Sequence, residues 1–508
     1  IHAATNTSDE VTPFRVSQIS DRNFAGTLVS YALDLKGPSY LINTACSSSL
    51  VSVHMACQSI LSGESSVALA GGVKIDSNAN MGYFYQQDMI FSPDGSCRPF
   101  DANSAGTISG EGAGVVLLKP LEKAIQDRDN IYAVIRSSAT NNDGNRKVGF
   151  SAPSYQGQVE CLEKAYRQAQ IPTSSISYIE AHGTGTKLGD AIEIEALNQV
   201  FQHDTDHQCA IGSVKSNVGH LDTAAGIAGF MKAALAVKTA WLPQTLHFQT
   251  SNPNLNFANG PFSVDKELRK WELPAATPRR AGVSSFGIGG TNAHVVLEEP
   301  PEVPFSESKR RYQFLTYSAK SGKAVTAFEH KLATFFAQIA AEQIADAVYT
   351  LNSGRTSFGK RNFLVFRGQD EVQDQLLLGK SAIAPTIKKG TRLAFLLQGQ
   401  GGQHYQMAHD LYGHEPVFRD YVDQGLAYLK EKTGKDYAPI IGYTLKDAPS
   451  VDLIHQTGNA HVLLFIVEYA VARLLMSWGL QPDLLVGHSL GEYDAACLSG
   501  VFSLEEGL

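Results

Sequence analysis

The sequence predicts an α/β protein with mixed or parallel sheets, followed by further α/β segments. Short β-rich runs at residues 67–70, 115–118, 133–137, 178–180 and 295–297 read as strands. Apolar positions at helical spacing fill 158–169 and 193–201 between them. The composition is that of ordinary globular domains, 43% hydrophobic and 18% charged, and 508 residues suggest two to four of them.

The elements follow in chain order. Leu50, Val53, Cys57 and Ile60 share a helical face, which places Cys46 at the start of a buried helix. The strand at 178–180 runs into His182 and the loop Gly183-Thr184-Gly185-Thr186. The stretch 221–240 is the most apolar long one. It is rich in Ala and Gly but carries Asp222, Lys232 and Lys238, so it reads as a packed interior helix and not a membrane span. Pro300, Pro301 and Pro304, with the run 306–311, mark a linker. A second α/β segment over 312–389 has a long helix at 324–341 and a strand at 363–366. A third opens with the strand 393–397 and carries Gly487-His488-Ser489-Leu490-Gly491. Ser503 and Glu506 spell a helix start just before Leu508, and Ile1 stands where an initiator methionine would, so a piece of a longer polypeptide is expected.

Several classes are set aside. A net charge of −8 without a long basic run argues against a nucleic-acid partner. The six cysteines are scattered, with no CxxC pair and no Cys/His cluster at zinc spacing, so no metal site and a reducing, cytoplasmic compartment are expected. The sequon Asn6-Thr7-Ser8 follows no signal peptide and carries no weight. The glycine-rich runs at 106–114 and 287–290 lack the context of a dinucleotide fingerprint. Gly379-Lys380-Ser381 ends like a P-loop, but Asp374 stands where its first glycine is needed. These glycines read as turns and close backbone approaches.

Three runs carry the chemistry: Thr44-Ala45-Cys46-Ser47-Ser48-Ser49-Leu50, Glu180-Ala181-His182-Gly183-Thr184-Gly185-Thr186 and Lys215-Ser216-Asn217-Val218-Gly219-His220. At a helix start, backbone N–H groups and the helix dipole favour a thiolate at Cys46, and Ala45 and Ser47 leave room for an acyl thioester. Taken alone, Cys46 would read as a buried structural cysteine, and either histidine as a hydrogen-bonded core residue. Together, two neutral imidazoles could donate N–H bonds to a thioester carbonyl and stabilise the enolate left when a β-carboxylated thioester loses CO2. Lys215 would hold His220 or a carboxylate in place, or else be a solvated lysine.

These runs resemble the active-site motifs of β-ketoacyl synthases, in the form found in modular type I polyketide synthases. The similarity extends through Gly110-Glu111-Gly112-Ala113-Gly114 and Ser285-Phe286-Gly287-Ile288-Gly289-Gly290-Thr291-Asn292-Ala293-His294 and covers 1–298. The resemblance implies a thiolase-like layered fold of two related α/β halves and a homodimer. It implies that Cys46 accepts the acyl group, that His182, His220 and Lys215 serve decarboxylation and condensation, and that the N–H groups of Cys46 and Ile288 form an oxyanion hole. Loading variants of the family carry glutamine at the nucleophile position; Cys46 favours condensation. Two departures stand out. Most of the segment that precedes the cysteine in the family is absent, and Ala191 replaces a frequent proline.

Gly487 to Gly491 fits a nucleophile elbow, with a surface turn as the alternative. Together with Gly399-Gln400-Gly401-Gly402-Gln403 it resembles polyketide synthase acyltransferases, an α/β-hydrolase-like domain that loads malonyl-type units from malonyl-CoA. By that resemblance Ser489 is the nucleophile, the N–H groups of Gln400 and Leu490 bind the oxyanion, and Leu490 leans towards malonyl. His461 stands at a usual glutamine, and the family's catalytic histidine, arginine and specificity loop are expected beyond Leu508, so this chain alone is not expected to transfer acyl groups. Leu351-Asn352-Ser353-Gly354-Arg355 resembles the small linker domain between the two. The expected organisation is thus 1–298 ketosynthase, 299–391 linker domain and 392–508 acyltransferase. The expected partners are acyl and malonyl thioesters and an acyl carrier protein bearing phosphopantetheine; no cofactor is expected on this chain, and no membrane. A thiolase-like thioester hydrolase and a non-catalytic scaffold are the competing readings.

Overall fold

The computed structural model describes residue 18 and residues 21–76, 82–87, 89–202, 208–274, 277–302, 310–378, 382–384, 390–444 and 451–508. The sequon at Asn6 and the Gly379-Lys380-Ser381 run lie outside the described residues, as does most of the linker run. The chain divides into two compact units, Ile1–Pro304 and Phe305–Leu508.

In the first unit, helix α1 (Ser48–Leu61) follows Cys46. Its fully buried positions are Ser48, Ser49, Leu50 and Val53, Ala56 and Cys57 pack partly buried against the same core, and Leu61 at its end is exposed. Strands β1 (Ala68–Lys74) and β2 (Gly112–Leu118) pair antiparallel as a separate small sheet. β1 runs further than its sequence pattern because Gly71 and Gly72 dilute it. A Cβ at Gly72 would lie 2.7 Å from Ser49 Cβ and 2.8 Å from the Thr223 carbonyl, so glycine lets the strand approach the nucleophile helix.

The main sheet uses β3 (Val134–Asn142), β4 (Tyr178–Glu180), β5 (Cys209–Gly212), β6 (Phe262–Val264), β7 (Arg280–Phe286) and β8 (Thr291–Glu298). Their spatial order is β3-β8-β7-β4-β5-β6. The β3–β8–β7 side is antiparallel and the β7–β4–β5–β6 side parallel, the mixed sheet that was expected. Every residue of β4 and β5 is buried, as parallel strands covered on both faces require. Helices α2 (Tyr155–Ala169) and α3 (Lys187–Val200) are capped by Ser154 and Thr186, whose side chains accept from Gly157 N–H and Gly189 N–H at 3.2 Å. After a short helix α4 (Lys215–Val218) comes α5 (Ala225–Thr239), which buries Ala225, Gly226, Ile227, Gly229, Phe230, Ala233, Ala234, Ala236 and Val237. This is the interior helix that the Ala/Gly-rich stretch predicts. A Cβ at Gly226 would sit 2.8 Å from Leu50 Cβ. Ser49 Oγ also accepts from Ile227 N–H at 2.9 Å, satisfying a donor in the first turn of α5. The two helices that flank Cys46 are therefore locked together.

In the second unit, β9 (Gln313–Ala319), β10 (Lys360–Phe366) and β11 (Ala382–Ala384) form an antiparallel sheet. Its helices are α6 (Gly322–Gln338), α7 (Ile344–Ser353) and α8 (Gln369–Leu377). Asn352 ties α7 to β9: its Oδ1 accepts from Thr316 N–H at 2.8 Å, and its Nδ2 donates to the Phe314 carbonyl at 2.6 Å. Beyond these lie β12 (Ala394–Leu397), α9 (Pro416–Thr433), α10 (Thr457–Ser477), β13 (Leu484–Gly487) and α11 (Gly491–Leu498). α10 is long and apolar enough to cross a membrane by length and composition, a property the sequence pattern led us to expect of no stretch. Half of its most apolar window is buried, and Leu463, Leu464, Ile466 and Leu474 pack with Phe418 and Val422 of α9, so it is the core helix here. The expected capping box at Ser503 and Glu506 forms in both directions.

Candidate active site

Cys46 sits at a sharp turn into α1. Ala45 adopts a left-handed backbone, φ 54°, an uncommon conformation for a residue with a Cβ and one that marks constrained functional turns. The turn is held from outside. Ser285 Oγ in β7 donates to the Cys46 carbonyl at 2.9 Å, and Ser47 Oγ to the Thr44 carbonyl at 2.9 Å. Ser47 is thus fully buried, and its side chain serves the turn.

Cys46 is 6% exposed, yet it reaches a cavity of about 1070 Å³ that also contains His182, His220, Asp222, Phe286 and Ile288. The Ile288 N–H points at the thiol sulfur, as an oxyanion-hole donor beside the nucleophile would. The helix-dipole expectation for the thiol is overturned. Burial, with the Asp222 carboxylate second, pushes the Cys46 thiol up; the Ile288 N–H and Lys215 offset this only in part. Resting Cys46 is a thiol. A second, apolar recess of about 590 Å³ between β2 and α5 holds none of these groups.

The two histidines meet in this cavity, rings perpendicular, with centroids 5.5 Å apart. His182 leaves the end of β4 on a loop pinned by α3. Glu193 accepts from His182 N–H at 2.7 Å and Gly183 N–H at 2.8 Å. One turn back on the same face, Asp190 accepts from Gly185 N–H at 3.1 Å and Phe100 N–H at 2.9 Å. Lys215 is 3% exposed, so it is no solvated lysine. Its amine donates to the His182 carbonyl; the expectation was that it would hold His220 or a carboxylate. His220 is fixed differently: its Nδ1 accepts from Asp222 N–H at 2.9 Å, so the neutral ring carries its proton on Nε2, ready to donate. Burial, aided by Lys215 and Lys74, pushes His220 down to about 3, and burial with Lys215 and His220 holds His182 well below the ordinary range. Both rings are neutral at pH 7.

In the second unit, β12 and β13 are parallel neighbours, Leu397 opposite Gly487, so the loops that follow them emerge at the same end. Ser489 stands on the turn between β13 and α11 with φ 54°, the strained geometry of a nucleophile elbow. Glycines permit it. A Cβ at Gly487 would lie 2.3 Å from the Gly491 carbonyl, and one at Gly399 would lie 2.9 Å from Ser489 Cβ. Gln400 is therefore brought next to the elbow, and its Oε1 is bonded by His461 Nε2 at 2.9 Å. Leu490 caps α11.

The chain is similar to known proteins over both units. The chain matches the family models for the β-ketoacyl synthase N-terminal domain (2–124) and C-terminal domain (132–249), the ketoacyl-synthetase C-terminal extension (252–365) and the acyl transferase domain (394–508). The ketosynthase from module 1 of the bacillaene synthase of Bacillus amyloliquefaciens FZB42 superposes with TM-score 0.66 at 39% identity, over 73% of this chain and 67% of that one. The chain belongs to the polyketide synthase ketosynthases. Its fold is the thiolase-like ketosynthase fold, followed by acyltransferase sequence. One component of the phenolphthiocerol/phthiocerol polyketide synthase of Mycobacterium tuberculosis is 41% identical over 96% of this chain and 34% of its own length. Another component of that synthase, from the same organism, is 39% identical over 94% of this chain and 31% of its own length. The chain thus spans about a third of the length of these curated relatives.

Sequence reasoning missed three residues of the ketosynthase site: Asp190 and Glu193, which hold the histidine loop, and Asp222. Their signal was a carboxylate pair one turn apart beside the glycine-threonine loop, and an acid two positions after His220.

The crowding around the nucleophile turn can be tested at Gly287. A Cβ there would fall 2.2 Å from the Thr44 carbonyl and 2.8 Å from Ser47 Oγ. Gly287→Ala is expected to cost about 1–3 kcal/mol, as overpacking does, and to displace the Cys46 turn. A lowered melting temperature together with slowed Cys46 acylation checks this; unchanged values for both would contradict it. Burial also pushes the Glu193 and Asp190 carboxyls up to about 7. Between about pH 4 and 7 the folded ketosynthase then binds more protons at these groups than the unfolded chain, so their contribution is complete below pH 4 and fades as pH rises through 7. Buried His220 runs the opposite way, losing its contribution as pH falls from about 6.5 towards 3. Because the Glu193→Gln variant cannot titrate there, the wild type should lose melting temperature relative to it as pH rises from 4 to 7. A constant gap would refute the assignment.

Proposed function

We propose that this chain is the ketosynthase–linker–acyltransferase region of a larger modular synthase, with boundaries at 1–298, 299–391 and 392–508. Its reaction is decarboxylative Claisen condensation, and one observation carries the reading. A nucleophile-competent thiol, an N–H aimed at its sulfur and two neutral imidazoles share one cavity.

Cys46 takes an acyl group from a carrier thioester. A malonyl-type thioester, borne on the phosphopantetheine of an acyl carrier protein, then enters. His220 donates its Nε2–H to the thioester carbonyl, with His182 as second donor, so the enolate formed on CO2 loss is stabilised where charge develops. Neutral rings suit this role, since they donate without first competing for the substrate's negative charge. The enolate carbon attacks the Cys46 thioester, whose oxyanion is held by the N–H groups of Cys46 and Ile288. Lys215, through the His182 carbonyl, keeps the loop in place. In the acyltransferase part, Ser489 would carry the malonyl unit taken from malonyl-CoA, with the N–H groups of Gln400 and Leu490 as its oxyanion donors. We place the protein in the cytoplasm, as a homodimer through its ketosynthase.

The test uses the full synthase with an acyl thioester and malonyl carrier. CO2 release should match β-ketoacyl product one for one. Free acid without product would support the hydrolase reading, and neither would support a scaffold.

A further inference from the structure

The resting thiol needs somewhere to send its proton, and among the described residues neither histidine is hydrogen-bonded to its sulfur. His220 presents Nε2–H to the cavity and spends its Nδ1 lone pair on Asp222 N–H. His182 Nδ1 is buried without a partner among the described residues, and no hydrogen bond joins this ring to Cys46. Lys215 is engaged at the His182 carbonyl, and Lys74 at Ser109 and Asp76. Asp222 is different. Its Oδ1 lies 3.7 Å from Cys46 Sγ, within reach of an S–H donor. Its backbone is left-handed, φ 45°, an unusual conformation that brings the carboxylate to the sulfur while its N–H fixes His220.

We propose that Asp222 is a catalytic residue of the acyl-loading half-reaction: it accepts the Cys46 proton and returns it to the leaving thiol. The inference rests on the condensing role proposed for Cys46. As the bond from Sγ to the acyl carbon forms, the S–H proton passes to Asp222 Oδ1. The bond from the acyl carbon to the pantetheine sulfur then breaks, and the same proton goes to that sulfur, giving a free thiol and restoring the carboxylate. A carboxylate is a weaker base than a thiolate, so the proton moves only as the S–C bond forms. Between turnovers burial and, second, the same negative charge hold the Cys46 thiol up, with the Ile288 N–H and Lys215 opposing them.

Asp222→Asn in the full synthase separates this from a structural role. Asparagine tolerates the left-handed backbone and keeps the N–H on His220. Cys46 acylation by an acyl-N-acetylcysteamine thioester is expected to slow about 100-fold. Iodoacetamide alkylation of Cys46 should instead become faster at neutral pH, its pH midpoint moving down with the carboxylate charge gone. The two rates moving in opposite directions is the expected result. Acylation within about twofold of wild type, or both rates falling together, would overturn the proposal. A wild type that is never acylated would instead refute the function proposed for the site, and this role with it.

Discussion

Replacing Cys46 with alanine in the full synthase is expected to abolish the acyl-enzyme and lower condensation by at least about 1000-fold. No other described cysteine can substitute. Cys57, Cys161 and Cys209 line no part of the cavity, Cys497 belongs to the second unit, and burial pushes Cys97 up to about 11, with its sulfur directed at the Thr184 carbonyl. The fold should survive, because the turn is held through backbone atoms: the Cys46 carbonyl by Ser285 and the Thr44 carbonyl by Ser47. Chain extension measured by product mass, alongside a melting curve, separates the two effects. Residual condensation above about a tenth of wild type would remove Cys46 from the mechanism.

Replacing His220 with alanine should split the reaction. CO2 release and condensation are expected to fall about 100- to 1000-fold, the effect of losing one preorganised donor to a developing oxyanion. Acylation of Cys46 should be affected much less, since Ile288 N–H and Asp222 remain at the sulfur. His182→Ala should lose decarboxylation similarly and also leave a void against Phe286, whose ring centroid is 5.7 Å away. Single-turnover measurement of acylation and CO2 release in each variant checks the split. Equal losses in both steps would mean that the histidines hold the site together and do not act on the carbonyl.

The proposed trio of Cys46, His182 and His220 was legible because each member lies in a local pattern: a helix start, a strand end and a glycine before a helix. The structure gives β4 the bounds its pattern predicts and makes α5 the interior helix. What was not legible depends on chain segments far apart. Asp222 approaches Cys46 across 176 positions, and a one-dimensional reading of Cys46 sees only the helix dipole, which points the thiol the wrong way. Lys215 was read as holding His220 or a carboxylate, but topology sends its amine to the His182 carbonyl. β1 was cut short because Gly71 and Gly72 have no β preference of their own; they are there for the helix packed on them. α10 drew no notice because its apolar residues run around the helix, which only a core position explains.

The decisive experiment is rapid-quench mass mapping of the Cys46 peptide, after mixing the full synthase with an acyl thioester and then with malonyl carrier. An acyl adduct on Cys46 that forms first and disappears in step with CO2 release and β-ketoacyl product is the expected course. Product formed with no adduct on Cys46, or an adduct that leaves as free acid, would contradict the condensing role.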